Sequence, residues 1–198
     1  TSAIGVANGT DAIELALRAL NIGIGDEVIT VSYTSVATVA AIECAGAKAV
    51  LVDIEPKSFT LNPIQLEECL TKRTKAIIAV HLYGMPYNVA KISELGRKYE
   101  IPIIEDAAEA IGATYQGKAM GTFGVIGVYS FNGNKIITTG GGGAILCNEE
   151  TYFRGKHLST TAKVPSEVDF FHDQIGFNYR LPNLNAALGC AQLESLDF

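Results

Sequence analysis

Lys135 sits in the stretch Ser130–Phe131–Asn132–Gly133–Asn134–Lys135–Ile136–Ile137–Thr138–Thr139–Gly140–Gly141–Gly142–Gly143, between small polar residues and a run of glycines. Glycine lets a backbone come close to a ligand and takes positive φ without steric penalty. A lysine in such a loop is a candidate Schiff-base amine, because burial lowers its pKa and frees its lone pair. The competing reading is a solvated lysine on a mobile surface loop, so its company along the chain decides. Asp106 closes one apolar run and Ser130 another, and Gly9–Thr10 stands at the start of a helical pattern. Free N–H groups at a helix start bind anions, and a glycine just before it admits a phosphate. A cofactor carrying a phosphate, an aromatic nitrogen and an aldehyde needs these features together, and pyridoxal 5′-phosphate is that cofactor. The helix start and the Ser130 hydroxyl would hold its phosphate. Asp106 would keep its ring nitrogen protonated, and Lys135 would hold its aldehyde carbon and then shuttle protons.

The elements that must position these residues follow from pattern. Gly5–Val6–Ala7–Asn8–Gly9–Thr10–Asp11 reads as a turn, with Thr10 or Asp11 capping a helix over 12–20 where Ile13, Ala16, Leu17 and Leu20 recur at helical spacing. Residues 27–31 and 49–53 read as strands, with a small-residue helix over 36–45 between them. Asn62 as cap and Pro63 at the first helical position open a helix over 64–70. The fully apolar run 76–80 has the mark of a parallel strand buried on both faces. A loop over 81–86, a helix over 89–99 and a strand over 102–105 lead to Asp106. Strands over 127–130 and 144–147 flank the Lys135 loop, and a helix follows over 149–158. Residues 159–171 read as irregular and 176–180 as a loop, after which Pro182 opens a last helix. This alternation predicts an α/β fold with a mainly parallel sheet, which binds ligands beyond the C-terminal ends of its strands. Asp53, His81, Asp106 and Ser130 all fall at such ends.

The chain has 198 residues, 48% of them hydrophobic, enough for one good core. No repeat, linker or low-complexity run divides it, so it reads as one domain. Its 20 glycines and mean hydropathy of +0.23 suggest apolar surface that another subunit or domain covers. A net charge of −6 with no Lys/Arg run argues against a nucleic-acid groove or an anionic membrane as partner. No run approaches the length of a membrane span. Cys44, Cys69, Cys147 and Cys190 are widely spaced and mostly sit in apolar patterns, as buried thiols do, which suits a reducing cytoplasm. His81, His157 and His172 lack metal-ligand spacing, so no metal site is expected. The chain opens in mid-pattern at Thr1 and stops at Phe198 without a cap, and so reads as a piece of a longer one.

Taken in order, Gly5–Val6–Ala7–Asn8–Gly9–Thr10–Asp11–Ala12, Glu105–Asp106–Ala107–Ala108–Glu109, Ser130–Phe131–Asn132–Gly133–Asn134–Lys135, the glycine run and Gly176–Phe177–Asn178–Tyr179–Arg180–Leu181–Pro182 resemble the DegT/DnrJ/StrS family. These are vitamin-B6-dependent sugar aminotransferases of fold type I, with a mostly parallel central sheet and helices on both faces. The resemblance implies that Gly9, Thr10 and Ser130 bind the cofactor phosphate, that Asp106 meets the pyridine nitrogen and that Lys135 holds the cofactor. It implies that Glu109 lies near the cofactor's 3′-oxygen, and that Thr34 and Ser35 lie over the ring. Asn178 matches a residue that reaches the phosphate of the neighbouring subunit, which implies a homodimer with shared active sites. Residues 1–198 would then be most of the cofactor-binding large domain, without the family's N-terminal segment and C-terminal small domain.

Two positions depart from the family pattern. Ser35 replaces a residue that is often aromatic, and Gly141 stands where many members carry Glu. The four-glycine version resembles enzymes that aminate C4 of a 4-keto nucleotide sugar. A related group replaces the lysine with His to deoxygenate sugars, and Lys135 argues against that chemistry. The function so implied is transfer of an amino group, from glutamate, to a keto nucleotide sugar for surface polysaccharide or glycan synthesis. A rival reading takes Tyr152 and Lys156 as the Tyr-x-x-x-Lys pair of an NAD(P)-dependent sugar dehydrogenase or epimerase, although the G-x-G-x-x-G fingerprint is absent and Gly121, Gly124 and Gly127 precede a strand. A third is an inactive binding or regulatory domain on the same fold.

Overall fold

A computed structural model describes residues 1–196. Strands β1 (Ser2–Val6), β2 (Glu27–Val31), β3 (Lys48–Val52), β4 (Thr74–Val80), β5 (Ile103–Asp106), β8 (Ile126–Ser130) and β9 (Gly143–Cys147) form one sheet in the order β1-β9-β8-β5-β4-β2-β3. Strands β6 (Thr114–Tyr115) and β7 (Lys118–Ala119) make a separate small hairpin. β3, β2, β4, β5 and β8 are parallel, whereas β9 runs antiparallel to both β8 and β1. The mainly parallel α/β expectation holds. The reversal at β9 follows from the short return through the glycine run, which leaves no room for a crossover helix.

The core is built on the central strands. β2 is buried along its whole length, and β4 is buried except at Lys75. Ile29, Ile77, Ile78 and Ile104 are fully enclosed, each contributing roughly 1.5–3 kcal/mol of burial. Helix α1 (Gly9–Ala19) packs against α2 (Val36–Cys44) and α5 (Glu149–Ser159), while α3 (Pro63–Glu68) and α4 (Val89–Tyr99) pack on each other. Helix α6 (Asn183–Glu194) follows Pro182.

Several local expectations change. Residues 2–6 form strand β1, where the sequence reading has a turn beginning at Gly5. The cap of α1 is Asn8, whose Oδ1 accepts the Asp11 N–H at 2.9 Å, in place of Thr10 or Asp11. The helix therefore opens at Gly9. Asn62 and Pro63 start α3 as expected. Of the cysteines only Cys147 is buried; Cys69 is half-buried, and Cys44 and Cys190 are exposed. Cys44 lies in the last turn of α2 and Cys190 on α6, where nothing among the described residues covers them. Among the described residues no helix is long and apolar enough to cross a membrane, and no cluster of His, Cys, Asp or Glu is placed to hold a metal ion.

Candidate active site

The cleft lies beyond the C-terminal ends of β5, β8 and β4. It comprises two hollows, of about 430 and 200 Å³, that share Ser35, Asp106, Ala108 and Lys135 on their walls. Gly9, Thr10 and Ser130 line the larger; Thr34, His81, Tyr83 and Glu109 line the smaller.

Lys135 is carried by the turn leaving β8. Its N–H donates to Asn132 O at 3.0 Å, and the loop closes where Thr139 N–H meets Phe131 O at 2.9 Å and Phe131 N–H meets Gly142 O at 2.8 Å. Gly142 has φ 151°, and a Cβ there would lie 2.5 Å from Thr139 Oγ1 and 2.7 Å from Leu181 Cδ1. Glycine at position 142 thus lets the loop that carries the lysine close against Thr139 and Leu181. The Lys135 side chain is 15% exposed, and its Nζ donates to Glu109 Oε1 at 3.2 Å. The other oxygen of Glu109 accepts the N–H of Tyr83 at 3.0 Å. Tyr83 is held there at φ 50°.

In the larger hollow, Gly9 backs onto Ser130. A Cβ on Gly9 would lie 2.8 Å from Ser130 Cβ and 3.1 Å from its Oγ. Glycine at the first position of α1 therefore lets the strand end and the helix start converge. Asn8 satisfies the Asp11 N–H, and among the described residues the Gly9 and Thr10 N–H groups carry no protein acceptor.

Asp106 is the last residue of β5 and is buried. Its Oδ2 accepts the Thr38 hydroxyl at 2.9 Å and its Oδ1 the Ala108 N–H at 3.2 Å. Burial pushes its pKa up, against the opposing pull of Thr38, the Ala108 N–H, Lys135 and His81. Thr34 Oγ1 lies 3.0 Å from Thr38 Oγ1, and Ser35 Oγ caps α2 by accepting the Ala37 N–H at 3.3 Å.

The neighbouring acid, Glu105, faces the other way and is fully buried. It accepts His81 Nε2 at 2.9 Å, the Gly121 N–H at 3.0 Å, and the N–H groups of Phe123 and Gly124. His81 stacks on Tyr87 with ring centroids 4.8 Å apart. Since an ionised carboxylate only accepts, Nε2 carries the hydrogen and the buried Nδ1 is left without a partner.

The structure thus gathers Gly9, Thr10, Thr34, Ser35, Asp106, Glu109, Ser130 and Lys135 around one cleft. Asn178 stands apart: it is exposed, bridges Thr160 through its backbone, and lines neither hollow. Asp53, just past the end of edge strand β3, is exposed and outside the cleft. Sequence reasoning missed Thr38 and the His81–Glu105 pair. A lone threonine in the small-residue helix 36–45 was the available signal for Thr38, since a polar group buried there needs a partner. Tyr152 packs against the core on α5, and neither it nor Lys156 lines a hollow of the cleft. Gly121 and Gly124 give their N–H groups to Glu105, and a Cβ on Gly127 would collide with Gly121 O, so this glycine series serves packing.

Lys135, the buried Asp106 and the open start of α1 thus flank one cleft at the ends of parallel strands. The model of the DegT/DnrJ/EryC1/StrS aminotransferase family matches residues 1–198, and the chain belongs to that family. It is 46% identical over 195 residues to GDP-perosamine synthase of Caulobacter vibrioides, covering 98% of this chain and 53% of the relative. It is also 46% identical over 203 residues to the putative pyridoxal phosphate-dependent aminotransferase EpsN of Bacillus subtilis, covering 99% and 52%. Among solved structures, the PLP form of the putative sugar aminotransferase Spr1654 from Streptococcus pneumoniae superposes with a TM-score of 0.91 at 29% identity, over 97% of this chain and 54% of that one. The chain spans about half the length of the relatives it matches.

Proposed function

We propose that this chain is the cofactor-binding part of a pyridoxal 5′-phosphate-dependent aminotransferase acting on a keto nucleotide sugar. The observation that carries the reading is the cleft shared by Lys135, buried Asp106 and the open start of α1 beside Ser130. The donor set fits the cofactor. Two unpartnered N–H groups and a serine hydroxyl suit a phosphate, and the missing Cβ at Gly9 brings them together. A buried carboxylate is costly without a cation, so the Asp106 site favours a protonated ring nitrogen. When bound, the cofactor supplies an electron-withdrawing ring that stabilises negative charge at the substrate carbon.

The protein's own groups divide the remaining work. Lys135 Nζ holds the cofactor and moves the proton at the substrate carbon. Glu109 Oε1, 3.2 Å from that nitrogen, orients the amine. Gly9, Thr10 and Ser130 fix the phosphate, while Thr34 and Ser35 form the wall above the ring. Ser35 is committed to capping α2 and would bring no aromatic face to that wall. In this reading glutamate donates the amino group, C4 of the sugar receives it, and the product enters surface polysaccharide or glycan synthesis in the cytoplasm. The names of the relatives support the substrate class, and the four-glycine run supports C4. The missing stretch of the family's length supplies the small domain, and a second subunit supplies Asn178. No observation favours the dehydrogenase reading, since Tyr152 and Lys156 lie on a helix away from the cleft.

Borohydride reduction of the full-length protein with pyridoxal phosphate should fix the cofactor on Lys135. An adduct on Lys156 or Lys163 instead would overturn the reading. Given glutamate and a panel of keto nucleotide sugars, the enzyme should aminate a 4-keto member; conversion of 3-keto sugars alone would refute the C4 assignment.

A further inference from the structure

We propose that Thr38 is a positioning residue for the reaction: its hydroxyl, oriented by Thr34, aims the Asp106 carboxylate into the cleft and favours its charged form. The proposal rests on the reading of Asp106 above and adds residues that reading does not use. Thr38 is fully buried in the first turn of α2, whose one charged residue, Glu43, is exposed near the other end. Its Oγ1 donates to Asp106 Oδ2 at 2.9 Å, across the layer between helix and sheet. With its hydrogen committed there, Thr38 Oγ1 accepts from Thr34 Oγ1 at 3.0 Å. Thr34 lines the smaller hollow, so the chain of hydroxyls runs from the cleft to the buried acid. Its polarity is fixed by charge. An ionised Asp106 can only accept, so both hydroxyls point inward; a neutral one could donate and reverse the chain.

The remaining neighbours of Asp106 cannot replace this hydroxyl. The Ala108 N–H engages Oδ1, and leaves Oδ2 to Thr38. Lys135 and His81 are the cationic or titratable groups whose field reaches Asp106, and both act without a hydrogen bond to it. Glu109 faces Lys135, and Glu105 is turned toward His81 and the Gly121–Gly124 turn. A hydrogen bond to a charged group is lost with Thr38→Val, while shape is kept. The Asp106 titration should then move upward by about one pH unit. The direction follows because a donor to the carboxylate stabilises only its charged form.

The test uses cofactor-free full-length protein with carbon-13-labelled aspartate, in which Asp106→Asn identifies the Asp106 carboxyl signal. Thr38→Val should raise its midpoint, Thr38→Ser should restore the wild-type midpoint, and Thr34→Val should raise it by a smaller amount. With cofactor and glutamate present, Thr38→Val should lower kcat about tenfold with KM for glutamate nearly unchanged, and Thr38→Ser should recover it. An unmoved midpoint in folded Thr38→Val, or a serine variant that behaves like the valine one, overturns the proposal. If Thr38→Val does not fold, Thr38→Ala takes its place. Should neither fold while Thr38→Ser does, the hydroxyl is a requirement of packing and the proposal falls. The cofactor reading fails separately, by the absence of a borohydride adduct on Lys135 in the wild-type protein.

Discussion

At the scale of single residues, the cleft sets function against stability. Asp106 is buried, and its carboxyl lies above the usual carboxylate range because burial outweighs the donors around it. A group whose folded pKa is raised destabilises the fold while it is charged, and the penalty vanishes as pH falls through that pKa. The cofactor-free Asp106→Asn protein should therefore melt higher than wild type at pH 7, and the gain should shrink on acidification. A Tm series against pH checks this; an Asn variant that melts lower at pH 7 refutes it. With cofactor the same substitution should cut kcat by roughly 100-fold or more, as loss of a charge partner in the transition state does. Gly9 makes a steric prediction. A Cβ there would press on Ser130, so Gly9→Ala should cost about 1–3 kcal/mol and weaken cofactor binding. Denaturant unfolding and equilibrium dialysis measure the two effects.

At the scale of elements, the turn between β7 and β8 is bound to the sheet by one carboxylate. Burial raises the pKa of Glu105, but the hydrogen bonds from His81 and the Gly124 and Gly121 N–H groups outweigh it and hold the group below the ordinary range. Such a group adds stability above its unfolded pKa, about 4.3, and loses it as pH falls through the folded value. Glu105→Gln should cost about 3–5 kcal/mol near neutrality, with the gap to wild type closing below pH ~4. Urea unfolding at pH 7 and pH 3.5 tests both sign and window. Much at this scale was legible in sequence. The apolar run of β4 marks a central parallel strand, and Asp106 at the end of β5 stands out because a charge interrupts such a run. Asn62–Pro63 announces α3 through local chemistry alone. Strand β1 was not legible: its Gly5 and its nearness to Asn8–Gly9 mimic a turn, and its identity depends on pairing with β9 far along the chain. Thr38 and Glu105 were hidden for the same reason. Their partners come from other elements, so spacing carries no trace of them.

At the scale of the whole molecule, among the described residues nothing covers the surface on either side of Asn178. Val168, Phe170 and Phe171, on the segment before it, and Leu184, just after it on α6, are all exposed. Apolar and aromatic residues in such number suit an interface, in keeping with a site completed by Asn178 of the partner subunit. In full-length protein, Lys135→Ala and Asn178→Ala should each be poorly active alone. After mild unfolding and remixing, mixed dimers should hold one intact site each, and activity should rise above either parent. Mixed dimers no more active than the better parent would assign Asn178 to its own chain's site or to none.

The reversal at β9 also governs how the molecule comes into being. β1 leaves the ribosome ahead of β9, yet Ser2 pairs with Cys147 and Val6 with Gly143. At about 5–20 residues per second, synthesis keeps the first strand without its partner for roughly 10–30 s. Until β9 threads between β8 and β1, the first strand has no partner in the sheet. The nascent chain must keep this edge unpaired in the meantime, which makes β1 a segment that a chaperone would have to shield.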